Sequence, residues 1–177
     1  MNIRKKNMKK IPLVLWIMSL IVFSLLIGCG GGGGGGGGGG TPSSSPPTKA
    51  VVTISTLGSP SVTPLVGVQA TLHLPVGVTV KATTNAPQTD TNVIVASGSA
   101  VPADLVFGLY SAGSRTATAY VVKAAGFSAG EFAIVNCDIA AGASPSASSF
   151  SVSDLVVSDS IGALITGLTP SILITFQ

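Results

Sequence analysis

The chain predicts an all-β domain, a sandwich of two antiparallel sheets, and three observations carry that expectation. From about residue 49 onward Val, Ala, Ser, Thr and Gly dominate; β-branched residues suit a pleated surface, while Gly and Ser punctuate it. The apolar runs are short, and the best of them alternates at period two: Val68, Ala70, Leu72 and Leu74 on one side, Gln69, Thr71 and His73 on the other. Turn signals recur between the runs at Gly58-Ser59-Pro60, Ala112-Gly113, Gly126, Gly130, Gly142, Ser158-Asp159-Ser160 and Thr169-Pro170. No segment holds a helical period between capped ends, so helix is limited to one short piece.

Taken in order, Ala50–Leu57 reads as a first strand, with Val52 and Ile54 on one face. Val66–Leu74 follows and Pro75 ends it; Gly77–Lys81 is a short extended piece, and 85–92 is a polar loop. Val93–Ala96, Leu105–Tyr110, Thr116–Lys123, Phe132–Ile139, Phe150–Val157, Gly162–Ile165 and Ile172–Phe176 complete nine or ten strands. Two inner faces about 10 Å apart close a Val/Ala/Leu core without large aromatics. A parallel β-helix would repeat at fixed length, and no such repeat is present.

The amino-terminal part is of another kind. Arg4, Lys5, Lys6, Lys9 and Lys10 precede an apolar run from Ile11 to Ile27, and Gly28 precedes Cys29. A basic start, an apolar middle and a small residue at a cleavage point make a secretory signal. The run is shorter than the roughly 20 residues a spanning helix needs. Leu26-Ile27-Gly28-Cys29 resembles the lipobox of bacterial lipoproteins. The resemblance implies lipidation of Cys29, cleavage between Gly28 and Cys29, and a membrane partner reached through acyl chains. Eleven glycines (30–40) and Thr41-Pro42-Ser43-Ser44-Ser45-Pro46-Pro47-Thr48 come next. Such a stretch has nothing to bury and reads as a flexible linker spanning roughly 24 Å. The organisation is therefore 1–28 signal peptide, 29–48 lipidated cysteine plus linker, and 49–177 β-sandwich domain. The expected location is the bacterial cell envelope; Gly30, in place of an aspartate retention cue, favours the outer membrane or cell surface over the inner membrane.

Removing the signal changes the charge. The whole chain carries a net charge of +3, but beyond the signal four basic residues (Lys49, Lys81, Arg115, Lys123) face six acidic ones. With no basic patch there is no footprint for nucleic acid. Once Cys29 carries lipid, Cys137 has no disulfide partner and reads as a small buried hydrophobe. Catalytic chemistry is not visible: the carboxylates are scattered, serines lie outside any nucleophile elbow, and one histidine makes no zinc site. Asp154 and Asp159 are the candidates for a shared calcium, against an ordinary role as turn formers. No enzyme, cofactor or metal is expected.

Three stretches then matter together: Leu72-His73-Leu74-Pro75-Val76-Gly77-Val78-Thr79-Val80, Gly126-Phe127-Ser128-Ala129-Gly130-Glu131-Phe132-Ala133-Ile134-Val135, and Phe150-Ser151-Val152 with Ser158-Asp159-Ser160-Ile161-Gly162-Ala163-Leu164-Ile165. In order and spacing they resemble cohesin-type domains, nine-stranded jelly-roll sandwiches that share their fold with carbohydrate-binding modules. The resemblance implies a sheet face that binds a dockerin-like protein or a polysaccharide. Sugar platforms use exposed aromatics, and Tyr110 and Tyr120, on neighbouring strands, are the candidate ligand face. Protein recognition on a Thr/Ser-rich face is ranked first, polysaccharide binding second, and a structural envelope role third.

Overall fold

The computed structural model describes residues 45–177 apart from Asn85. The expected signal, Cys29 and the linker as far as Ser44 lie outside the described residues. Nine strands form: β1 (Lys49–Gly58), β2 (Leu65–His73), β3 (Val78–Thr79), β4 (Ile94–Ala96), β5 (Leu105–Ser111), β6 (Thr116–Phe127), β7 (Glu131–Ile139), β8 (Ser151–Ser158) and β9 (Leu168–Phe176). Two 3-10 turns, at Gly98–Ala100 and Ala147–Ser149, are the helical pieces among the described residues.

The strands make two antiparallel sheets. Sheet A runs β3–β7–β1–β9, with β4 also on β7; sheet B runs β5–β6–β2–β8. The chain crosses from β1 in sheet A to β2 in sheet B, back to β3 and β4, over to β5 and β6, then β7, β8 and β9 in alternate sheets. That wrapping makes a jelly roll, as expected. Period-two patterning places the core between the sheets: Ala50, Val52 and Ile54 from β1 meet Val68, Ala70 and Leu72 from β2, with Ala117, Ala119 and Val121 from β6. Phe132 is the largest fully buried side chain. The expected assignment of Val52 and Ile54, and of the two faces of Val68–Leu74, holds residue by residue.

Three expectations fail. Gly162–Ile165 is not a strand: Asp159 Oδ1 accepts from the Ile161 and Ala163 N–H groups, both at 2.9 Å, and folds the segment into a turn against β8. Gly126 does not end β6, which continues to Phe127 through a bulge opposite Leu65. A Cβ at Gly126 would meet the Pro64 ring at 2.5 Å, and its φ of 77° is one that glycine adopts freely. Finally, β9 starts at Leu168 instead of Ile172, with Pro170 inside it; Pro is tolerated because β9 is an edge strand.

The chain enters the domain at Lys49, and β1 runs from that proximal end to the distal one. There the β1–β2 and β8–β9 loops are tied together, with Ser61 N–H on the Thr166 carbonyl at 2.9 Å and Thr166 N–H on Ser61 Oγ at 3.1 Å.

Candidate functional face on sheet B

One face of sheet B meets the core and the other meets solvent. Register arranges the outward residues in four rows. The distal row is Leu105, Val122, Gly67 and Ser158; the next is Phe107, Tyr120, Gln69 and Val156. Then come Leu109, Thr118, Thr71 and Ser153, and at the proximal end Ser111, Thr116, His73 and Ser151. The face therefore has an apolar distal half and a hydroxyl-rich proximal half.

In the distal half Leu105 is 53% exposed and Val156 42%. The Phe107 and Tyr120 rings sit 5.8 Å apart at 47°, a tilted pair of the kind aromatic quadrupoles favour. Beside them lies a shallow groove of about 180 Å³ whose walls include Tyr120, Val122 and Val156. Gly67 keeps it open, since a Cβ there would meet Ser158 Oγ at 2.7 Å. Two larger concavities lie elsewhere. One, of about 320 Å³, sets Lys49 and Lys81 beside a single carboxylate, Asp138, among the polar Thr91, Asn92 and Asn136. The other, of about 290 Å³, opens between β4 and β5 under the 88–92 loop and has Phe107 in its wall.

The proximal half is a hydrogen-bonded ladder. Thr71 and Thr118 hydroxyls lie 3.4 Å apart. Ser153 Oγ donates to Asp154 Oδ2 at 2.8 Å and lies 2.8 Å from His73 Nε2. A hydroxyl has one proton, so Ser153 accepts from His73, which places the imidazole proton on Nε2. A catalytic serine would instead give its proton to the imidazole, with the carboxylate on the other ring nitrogen. Here the serine stands between the two, so the trio is a brace across β2 and β8. Asp154 lies in a bulge with φ 52°, opposite the step between Gln69 and Thr71.

The two tyrosines do not share a face. Tyr120 pairs with Phe107 on the outside. Tyr110 pairs with Ala117, which is buried, and its ring packs on the core. Burial pushes its hydroxyl pKa up, helped by Cys137 and opposed by Arg115. Tyr110 is thus withdrawn from the candidate ligand face, and Phe107 stands where it was expected. In β5 both parities are apolar, Leu105, Phe107 and Leu109 against Val106 and Tyr110, so alternation alone does not orient the strand. The signal is in β6, where Ala117, Ala119 and Val121 define the inner side.

Cys137 is buried and its thiol is pushed up to about 12, by desolvation first and by Asp138 second. It faces the core from sheet A while His73 lies on the outer face of sheet B, so they form no catalytic pair. Asp159 holds its own turn, and Asp154 accepts from Ser153; among the described residues no three metal-ligating side chains cluster. Compared with protein-family models, curated proteins and solved structures, the chain matches none.

Proposed function

We propose that this protein is a lipid-anchored component of a bacterial cell envelope that displays a cohesin-like sandwich and binds another protein, dockerin-like in its role, through the outer face of sheet B. The observation that carries the reading is the outward cluster Leu105, Phe107, Tyr120, Val122 and Val156 beside a row of hydroxyls. Apolar anchors ringed by polar groups are what a protein interface needs, because a few buried aromatic and aliphatic side chains supply most of its affinity. The role is binding without catalysis, and neither a cofactor nor nucleic acid is part of it. The lipobox-like run ending at Cys29 supports stable membrane anchoring, because two or more acyl chains hold a protein where one does not, and Gly30 in place of an aspartate retention cue favours the outer membrane or surface.

A second reading, polysaccharide binding, is favoured by one observation: Phe107 and Tyr120 form a half-buried aromatic pair on the outward side of sheet B. One experiment separates the two. The full-length chain and its Tyr120→Ala and Phe107→Ala variants are used to capture proteins from detergent-solubilised envelopes and are run in polysaccharide affinity gels. Capture of one discrete protein, lost in both variants and kept in Ile161→Ser at the distal loop, is expected. Retardation on glycan that disappears in the same two variants moves the assignment to polysaccharide. Binding indifferent to both substitutions overturns the face.

A further inference from the structure

Of the open edges of the two sheets, three are blocked. The β3/β4 edge is short, two and three residues. The β5 edge is covered by residues 87–89, with Thr89 N–H on Gly108 O and Tyr110 N–H on Pro87 O. The β8 edge carries the Asp154 bulge, and Ile165 N–H closes on Val157 O at its distal end. Charges, bulges and covering loops are how sheets avoid pairing with another chain. β9 has none of these over Ser171–Phe176. It holds continuous register with β1 across nine residue pairs, carries no charge, and its only interruption is Pro170.

The hydrogen-bond phase shows what this edge offers. Lys49 and Gln177 exchange both bonds, at 3.0 and 2.9 Å, so by antiparallel alternation Thr175, Leu173 and Ser171 bond to β1. Ile172, Ile174 and Phe176 consequently direct N–H and C=O away from it, and among the described residues nothing pairs with them. Their side chains lie opposite Ile54, Val52 and Ala50 and so face the core, yet remain only partly covered at the open seam beside β8. A strand added here would satisfy the backbone and seal the seam.

We infer that the added strand is β9 of a second copy, paired antiparallel about a two-fold axis through Ile174. In that register Ile172 opposes Phe176 of the other copy, Ile174 opposes itself, and each of these pairs exchanges two hydrogen bonds. Pro170 falls outside the shared stretch. On the outer surface Leu173, 67% exposed, lies across from Thr175 of its mate. The position of the chain outside the structure agrees. Lys49 pairs with Gln177, next to the shared stretch, so the two chains enter the dimer about 20 Å apart along the strands. The stretch 29–48 reaches roughly 65 Å when extended, so both anchors reach one bilayer. That last point uses the proposed lipidation; the pairing does not, and it involves the sheet opposite the proposed binding face.

The test uses the full-length chain with Leu173→Cys and Thr175→Cys together, under mild oxidation by diamide. Cys137 is buried and stays out of the reaction, and peptide mass mapping of the linked product identifies the bonded positions, so that a link through Cys29 in either chain is told apart and not counted. A covalent dimer linked 173 to 175 is expected, since directly opposed outward residues lie within disulfide reach. A chain with Ser171→Cys and Thr175→Cys should remain monomeric. In parallel, Leu173→Lys with Thr175→Lys, both on the solvent side, should weaken the dimer in sedimentation by roughly tenfold, and Leu173→Lys with Thr175→Glu should restore it. A chain monomeric at every concentration, or a dimer indifferent to these charges, overturns the inference. Cross-linking of residue 173 or 175 to a different protein overturns the choice of a second copy. The amino-terminal mass of the same sample reports the anchor separately.

Discussion

At the scale of single residues, Cys137 links packing to pH. Its thiol is held up to about 12 from an ordinary 9.0 because burial denies the charged form water and the charge of the neighbouring Asp138 disfavours it further. The pKa is raised in the folded state, so the unfolded chain loses this proton first. Stability is then complete below pH 9 and falls as pH rises toward 12, by about 1.4 kcal/mol for each unit in that window. The expected outcome is a urea midpoint that drops between pH 9 and 11 in the native chain and drops less in Cys137→Ala. Equal slopes would show that the thiol stays protonated in both states or is reached by water. The residue type was legible: a lone cysteine in the strand-like run Ala133–Ile139 reads as a buried hydrophobe. Thr56 was not legible. It is buried, and its hydroxyl accepts from Gly130 N–H at 2.9 Å across 74 residues of sequence; no local pattern announces a partner so distant.

At the scale of elements, strands whose inner and outer residues differ in kind were readable, and strands apolar on both parities were not. β2 alternates Val68, Ala70, Leu72 with Gln69, Thr71, His73, so its faces follow from the text alone. β5 offers no such contrast, which is why Tyr110, expected on the ligand face, lies on the inner side while Phe107 points outward. Loops were harder, because their geometry is set by contact with other loops. Gly58 and Gly167 show this: each has positive φ, 111° and 85°, and a Cβ at either would collide with backbone of the other loop, Gly167 O for Gly58 and Ser59 O for Gly167. Gly167→Ala should therefore destabilise the chain by about 1–3 kcal/mol. Urea unfolding measures it. Gly113→Ala is the control, since a Cβ at Gly113 has nothing within 4 Å. A loss confined to the control, or none in Gly167→Ala, would mean the clasp between the two distal loops yields freely.

At the scale of the whole molecule, the proposal that the amino-terminal segment anchors the domain is open to a direct test. Its reading rests on composition and order, five basic residues, then an apolar run, then Gly28-Cys29, and all of it lies outside the described residues. The physical alternatives differ sharply. A thioether-linked diacylglycerol with an acylated amino terminus buries acyl carbons at roughly 0.8 kcal/mol per CH₂, whereas an uncleaved peptide segment would have to span with fewer than the usual ~20 apolar residues. The two predict different masses and different responses to one substitution. If Cys29 carries lipid, mass spectrometry of the native chain finds an amino terminus at residue 29 with acyl mass added. Cys29→Ala then blocks processing, so the chain keeps residues 1–28 and carries no acyl mass; the change in mass decides, because the retained apolar run Ile11–Ile27 holds the precursor in the detergent phase as well. If the segment is a peptide anchor, the native chain keeps residues 1–28 and a free thiol, and Cys29→Ala partitions as before. The sandwich should be indifferent to the result, because Ala50 through Phe176 supply its core from within the domain. What a lipid at Cys29 would change is concentration: chains held in one plane meet edge to edge far more often than in solution. A marginal β9 pairing would then be occupied on the membrane and dissociated in dilute detergent.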